Sequence, residues 1–482
     1  MLRLSIMLAC FALIATSSQA ASNKRQLSDE DIMKKAQKLH KKMVTIDTHV
    51  DLKIDLATPK RNPGVRLDSQ KVDLVKMSEG GLDAVFFAVW VAQEELSKES
   101  FCKAYDLAMA KFAAIHRMCA AYNADKVELA LSPDDVIRIK KAGKRSALIG
   151  VENGFSIGED IENLRYFYDL GARYVTITHM GCNQLADSSD PLKDIPASKH
   201  GGLSDFGKEV IREMNRLGMM IDISHSGPKT VSDILALSKA PVIASHSGCR
   251  ALCDVNRNLT NEQMLAIKDN GGTVQIVALA DFLKKPGKEA DLKVFVDHID
   301  YAVHLIGIDH VGIGSDFDGG GGIPGFEDPS DCMNVTAELI RRGYSDSDIE
   351  KIWGGNLLRV WRKVIEAAKE INRPELGNLS VGAPADIAIF NVLNGNFTYT
   401  DTGGGVLYGD RKIMCEMTMF GGEVVYDPKG LSKKVLSVHD EKGPEPFSVA
   451  QNTPNPFNTS TIIHFNLSRA GHTTVEIVNA AG

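Results

Sequence analysis

Four histidines of this chain stand at the end of short apolar runs: His49 in VTIDTHVD, His179 in YVTITH, His225 in MMIDISH and His246 in PVIASH. Carboxylates hold similar places, with Asp51 beside His49, Glu152 closing SALIGVE and Asp316 closing HVGIGSD. Imidazole and carboxylate groups suit zinc and its divalent neighbours, cobalt and manganese among them. A His-x-Asp pair alone reads as a turn. Four of thirteen histidines at equivalent places do not, because solvated turns would scatter them without regard to the apolar runs. The chemistry such a set serves is hydrolysis. Splitting an unactivated amide needs a strong nucleophile, and a metal ion lowers the pKa of bound water to about 7. Two ions sharing that water need a bridging carboxylate, and Glu152 lies between the His49/Asp51 pair and the later histidines. A further acid must carry the proton to the leaving nitrogen. Asp316 fits because it directly follows its apolar run; Asp318 is the local competitor.

Bringing these residues together requires a frame, and eight apolar runs between about residues 44 and 316 supply one. They are MVTID, GLDAVFFAVWV, SALIGVE, YVTITH, MMIDISH, PVIASH, GTVQIVA and HVGIGSD. Segments such as DLAMAKFAAIHRMCAAY and VFVDHIDYAVHLIG lie between them, apolar at three- and four-residue spacing, and predict helices. Strands apolar throughout and separated by helices form a parallel sheet. Eight such units predict a closed (β/α)8 TIM barrel with its reaction centre where the strands end. An open doubly wound sheet is the rival, but no Gly-x-Gly-x-x-Gly turn follows an early strand. Strands two and seven end without a ligand-type side chain, although Trp90 could line a wall.

The barrel is expected over residues 30–372, closed by helices in YSDSDIEKIWGGNLLRVWRKVIEAAKEI. After Pro374 the texture changes: LGNLSVGAPADIAIFNV and KIMCEMTMFGGEVVYD read as short strands, predicting a small β unit over residues 373–430. The linker DEKGPEP opens residues 440–482, whose alternating end begins like a β-sandwich and stops at Gly482. Residues 1–20, MLRLSIMLACFALIATSSQA, have the basic start, apolar middle and small-residue end of a secretory signal cleaved near Ala20. The mature chain is thus expected to be secreted or held in the cell envelope, where disulfides persist. No other segment is apolar enough over sufficient length to span a membrane. A net charge of −7, with 24% charged residues, gives no electrostatic reason to expect nucleic acid as a partner.

Over about residues 44–365 the ordered motifs DTHVDL, LIGVENGFSI, YVTITHMGCNQLAD, GLSDFGKEVIREMNRLGMMIDISH, APVIASHSG and GIGSDFDG carry a family resemblance. They are similar to those of the renal (membrane) dipeptidase family of zinc metallopeptidases, within the amidohydrolase superfamily. The resemblance implies two Zn2+ per chain, one held by His49, Asp51 and Glu152 and the other by Glu152, His225 and His246. It implies that His179 steadies the substrate carbonyl oxygen as charge develops there. Arg257, in DVNRNL, would grip the terminal carboxylate with its guanidinium fork, and Asp316 would move the proton. Without the family match, Arg257 reads as one half of a surface salt bridge. A Cys119–Cys182 disulfide is implied too, although Cys182 sits one residue further from His179 than the family pattern; Cys253 has no evident partner.

Members of that family act on dipeptides, often with a D-residue at the C-terminal side, and some open β-lactam rings; a homodimer is the implied assembly. Residues 376–427 resemble instead the C-terminal β part of dihydroorotase-like deacetylases of the wider superfamily. That sandwich would be incomplete here, because residues 21–43 read as a helix with no strand. The piece from Pro454 resembles a type IX secretion sorting domain, which implies secretion machinery as a partner. The expectation is therefore a secreted zinc-dependent dipeptidase that attacks its substrate with a metal-bridging water. The alternatives are an amidohydrolase acting on N-acyl amino acids, suggested by the extra β unit, and a catalytically inactive barrel that binds a partner. The intact ligand set speaks against the last.

Overall fold

All eight apolar runs become parallel strands, and one short strand joins them. In chain order they are β1 (Ile46–Asp51), β2 (Ala84–Trp90), β3 (Val127–Leu129), β4 (Arg145–Glu152), β5 (Ala172–Thr176), β6 (Met220–Asp222), β7 (Ile243–Ser247), β8 (Thr273–Ile276) and β9 (Val311–Ile313). This computed structural model describes residues 27–190, 192, 198–284, 287–372, 387–400, 406–420, 423–431, 448–449 and 465–466. The barrel order is β1-β2-β4-β5-β6-β7-β8-β9. The unexpected β3 pairs with Arg145–Ala147 of β4, the stretch before β5 takes over at Ile149. Closure comes just past β9, where Phe317 bridges to Val50 and its carbonyl accepts the Asp51 N–H at 2.9 Å.

Side chains alternate across each strand. On β2, Ala84 and Phe86 join Ile46, Leu148, Tyr174, Met220 and Ile243 in one buried cluster, against which Leu357, Val360, Trp361 and Val364 pack. The last four lie on the helix Asn356–Asn372, so this helix plugs the barrel. Val85, Phe87 and Val89 belong to the larger cluster between strands and outer helices. Burying each such side chain stabilises the fold by roughly 1.5–3 kcal/mol. The outer helices start where the sequence offers a cap. Ser204 accepts from Gly207 N–H ahead of Asp205–Leu217, and Thr260 with Gln263 forms a capping box ahead of Asn261–Asp269. No helix among the described residues is long and apolar enough to cross a membrane.

The chain divides into two compact units at residues 371 and 372. In the second, β10 (Ile387–Thr400), β11 (Val406–Phe420) and β12 (Glu423–Tyr426) form an antiparallel sheet in that order. The segment expected to be helical without a strand holds the helix Asp29–Lys42. Residues 448–449 pair antiparallel with 465–466; the rest of the sorting-like tail and the signal-like residues 1–20 lie outside the described residues.

The Cys119–Cys182 disulfide implied by the resemblance is not formed. Cys119 lies in the π-helical turn Met118–Tyr122 and packs against the apolar core, where burial pushes its thiol up to about 12. Cys182 lies in the loop beyond β5, and its thiol has Asp187 and Ser188 as neighbours. The two segments present their thiols to different surroundings.

Candidate metal centre

The strand ends converge on Glu152, the last residue of β4. Its Oε2 is 3.2 Å from His49 Nε2. Its Oε1 is 3.2 Å from His225 Nε2, 3.4 Å from His246 Nε2 and 3.8 Å from His179 Nε2. The Nε2 atoms of His225 and His246 are 3.0 Å apart, and the rings of His49 and His246 stack at 3.7 Å. Three sets bring their ligand atoms within 4.8 Å of one another: His49–Asp51–Glu152, Glu152–His225–His246 and His49–His246–Asp316. His49, Glu152, His225, His246 and Asp316 are buried.

Sharp turns past the strands aim these groups inward. His225 and Asp316 both have φ of 64°, as does Asp318, a left-handed backbone uncommon for residues other than glycine. Asp318 is committed elsewhere: its carboxylate accepts the Lys71 and Val72 N–H groups at 2.7 and 3.0 Å. That resolves the competition between the two aspartates in favour of Asp316 as the one facing the cluster. Gly319 lets the loop approach, since a Cβ there would fall 2.3 Å from Asp316 Oδ1 and 2.7 Å from Asp51 Oδ2.

Hydrogen bonds fix which imidazole nitrogens keep a lone pair. Tyr174 Oη donates to the Thr48 carbonyl at 3.1 Å, so at 2.9 Å it accepts from His49 Nδ1–H, and His49 Nε2 is left to face Glu152, open to a proton or a cation. That Nε2 lies near Glu152 without a hydrogen-bonding angle, and it has no partner among the described residues. Ser245 Oγ donates to Asp222 Oδ2 at 2.6 Å and therefore accepts from His246 Nδ1–H at 2.8 Å. His246 Nε2 is thus bare. Such outer hydrogen bonds set tautomer and ring direction in metal sites.

Burial, with Arg257 and neighbouring imidazoles adding to it, holds His225 and His246 well below the usual range and so neutral. Burial also lowers His49, but Glu152 beside it outweighs this and pushes it up to about 9. Glu152 is buried, which would raise it; His49, with the imidazoles of His225 and His246 close by, instead holds it well below the carboxylate range. Asp316 is pushed up to about 8, first by burial.

Arg257 is buried beside the cluster rather than on the surface. It donates to Ser247 Oγ at 2.8 Å and to the His246 carbonyl at 2.6 Å, while its Nε has no partner among the described residues. His179 is the most exposed of the cluster histidines, and its ring meets the Trp90 ring edge-on at 5.5 Å. Sequence reasoning missed Tyr174, Ser245 and Asp222. Asp222 carried a signal, an acid inside the apolar run of MMIDISH; Tyr174 looks like any core aromatic.

A metal ion fits these residues. The Nε2 atoms of His49 and His246 converge with carboxylate oxygens in a buried site, and Asp51 Oδ1 has no partner among the described residues. Lone pairs so placed repel unless a cation lies among them. The barrel and this donor set together define a metal-assisted hydrolase.

Comparison with known proteins narrows that class. A family model described as membrane dipeptidase, peptidase family M19, matches residues 33–375, and the chain belongs to this family. Dipeptidase 3 of Homo sapiens is 34% identical over 346 residues, which cover 70% of this chain and 69% of that protein. Dipeptidase tcpJ of Claviceps purpurea is 36% identical over 302 residues, 62% of this chain and 70% of that one. Among solved structures, the probable dipeptidase PvdM from Pseudomonas aeruginosa superposes with a TM-score of 0.67 at 32% identity, covering 70% of this chain and 99% of that chain. A metallo peptidase from Rhodobacter sphaeroides, liganded with a phosphinate mimic of the dipeptide L-Ala-D-Ala, gives a TM-score of 0.59 at 25% identity and covers 67% of this chain and 99% of that chain. The protein is a hydrolase acting on dipeptides.

Proposed function

We propose that this dipeptidase is an exported enzyme that works with two Zn2+. The observation that carries the reading is the convergence of three Nε2 atoms, from His49, His225 and His246, on the two oxygens of Glu152. His49, Asp51 and Glu152 would hold one ion, and Glu152, His225 and His246 the other. When bound, the ions supply the Lewis acidity that makes water a nucleophile near neutral pH.

The chain's own groups do the rest. His179, lowered by burial and so neutral, offers an N–H at the mouth to the carbonyl oxygen on which charge develops. Asp316 carries the proton to the leaving nitrogen; its burial favours the protonated form it needs midway through that task. We give Asp316 this role rather than that of ligand because His49 and His246 each already share a set with Glu152. Arg257, with Nε unpartnered, faces the substrate's terminal carboxylate. Tolerance of a C-terminal D-residue is supported by the L-Ala-D-Ala mimic bound to the Rhodobacter sphaeroides relative. Export is supported by the signal-like residues 1–20.

Chelation should abolish hydrolysis of L-Ala-L-Ala and L-Ala-D-Ala, and added zinc should restore it. Undiminished turnover in a rigorously metal-free sample contradicts the proposal. Cleavage of N-acetyl amino acids without cleavage of dipeptides would favour the acylase alternative.

A further inference from the structure

Beside Asp51 a cavity of about 510 Å³ opens from the metal centre between the loop after β1 and the helix Lys98–Arg117. Its walls include Ile54, Phe87, Trp90 and Leu107, the exposed Lys53 and the buried Lys111; of its carboxylates besides Asp51, Asp55 pairs with Arg61 at 2.7 Å and Asp318 accepts the Lys71 and Val72 N–H groups. Lys111 is only 6% exposed, yet it makes no hydrogen bond or ion pair with any described residue. Its ammonium lies 5.2 Å from the centroid of the Trp90 ring. Lysine is almost never buried this far without a partner, because desolvating its charge is costly. A cation–π contact returns only about 0.5–2 kcal/mol. Neutralising Asp51 and Glu152 does not explain it either, since both belong to the ligand sets and would face cations of their own.

The place of this lysine suggests its partner. In the eight-strand order β2 and β7 stand four strands apart, on opposite sides of the mouth. Arg257 sits beyond β7, against Ser247, and Lys111 lies over Trp90 at the end of β2. The inference rests on the dipeptidase reading above. With the terminal carboxylate at Arg257 and the scissile bond at the cluster, the N-terminal residue extends towards β2. We propose that this cavity receives the side chain of the substrate's N-terminal residue and that Lys111 selects a carboxylate there, so that dipeptides beginning with Glu or Asp are preferred. Phe87 and Leu107 line the path for the methylenes, and Lys111 meets the charged end. A site whose charge is left unpaired by the wrong substrate discriminates strongly against it.

The test uses zinc-loaded full-length protein and two readouts. Calorimetry compares binding of free L-glutamate and L-glutamine, and kcat/KM compares L-Glu-L-Ala with L-Gln-L-Ala. The expected preference for the acid is about tenfold or more in both, as for a charge-assisted hydrogen bond. It should fall to near unity in Lys111→Met, which keeps the apolar stem, and persist in Lys111→Arg; Lys111→Gln replaces the Met variant if that one does not fold. Equal binding of glutamate and glutamine by the unaltered protein, or a preference that survives in the neutral variants, overturns the proposal. Equal turnover of L-Glu-L-Ala and L-Gln-L-Ala overturns it while leaving the dipeptidase reading intact. Lysine-dependent glutamate binding without any dipeptide hydrolysis would support the carboxylate pocket and defeat the dipeptidase reading.

Discussion

Within the barrel, Ile46, Phe86, Leu148, Met220 and Ile243 pack on Leu357 and Trp361 as a dry apolar plug. A few residues further along the same strands, His49, Glu152, His225 and His246 crowd into an equally buried but polar cluster. The plug needs only volume and fit, so each of its side chains is stabilised wherever it is covered. The cluster has no such freedom, because every buried nitrogen and oxygen must be given a partner and a direction. Tyr174 joins the two regions: its ring belongs to the plug and its hydroxyl orients His49. Gly150 makes the room, since a Cβ there would lie 2.0 Å from that ring. One end of the strands stabilises the molecule, and the other end uses that stability to hold groups that would not otherwise stay together.

The two ends of the strands should be open to separate damage. Asp316→Asn preserves the left-handed backbone, which Asn tolerates, and removes the carboxyl proposed to carry the proton. We expect kcat to fall by about 10²–10⁴ with melting temperature and metal content unchanged, read by steady-state kinetics beside metal analysis. Leu148→Ala in the plug should do the reverse. It should cost roughly 2–5 kcal/mol in urea unfolding and leave the kcat of the folded fraction near that of the parent. A large kcat loss from the second substitution would mean that the two regions are not separable.

The next effect is one of pH. His298, on the helix Leu292–Ile306, is buried; its Nδ1 accepts the Cys249 N–H at 3.0 Å and its Nε2 donates to the Leu283 carbonyl at 3.0 Å. Burial lowers its pKa from 6.5 to about 4. The folded state therefore favours the neutral ring, and between these values the unfolded chain binds more protons. The contribution is complete above pH 6.5 and is lost as pH falls to about 4, amounting to up to roughly 3 kcal/mol. Urea unfolding of the metal-loaded protein at pH 7 and pH 4.5 should show a smaller difference in His298→Gln than in the parent. An equal difference would show that this histidine does not titrate as its surroundings dictate.

Tyr174→Phe should have the smallest effect, and it acts where the two regions meet. It keeps the ring in the plug and releases His49 Nδ1. Loss of one outer hydrogen bond of this kind weakens metal affinity by about 10–100-fold. Competition with a chelator measures the change, and stability should move by less than about 1.5 kcal/mol.

Much of this was legible in the chain. The eight runs became eight strands because a buried parallel strand is apolar on both faces, and a residue just past such a run has few places to point. His49, Glu152, His225 and His246 were visible for that reason. Several features were not. β3 is three residues long and leaves no pattern of its own. The inward aim of His225 and Asp316 depends on left-handed turns at residues that rarely adopt them. Asp316 is preferred over Asp318 by its place directly after the run, but what occupies Asp318, the backbone amides of Lys71 and Val72 some 246 residues away in sequence, leaves no mark there. Tyr174, Ser245 and Asp222 act through partners on other strands, and Lys111 reads on paper as the polar side of an ordinary helix. The Cys119–Cys182 pairing rests on family resemblance alone, and the helical turn of Cys119 and the loop of Cys182 do not bring the thiols together.

One measurement bears most directly on the central claim that groups distant in sequence form a single metal site around Glu152. Metal content is determined on purified protein and on Glu152→Gln, whose amide keeps the size of the side chain and removes its charge. The account predicts about two zinc ions per chain in the parent and a loss of both at unchanged helical circular dichroism in the variant. A parent that binds no zinc, or a variant that keeps its full complement, would contradict it.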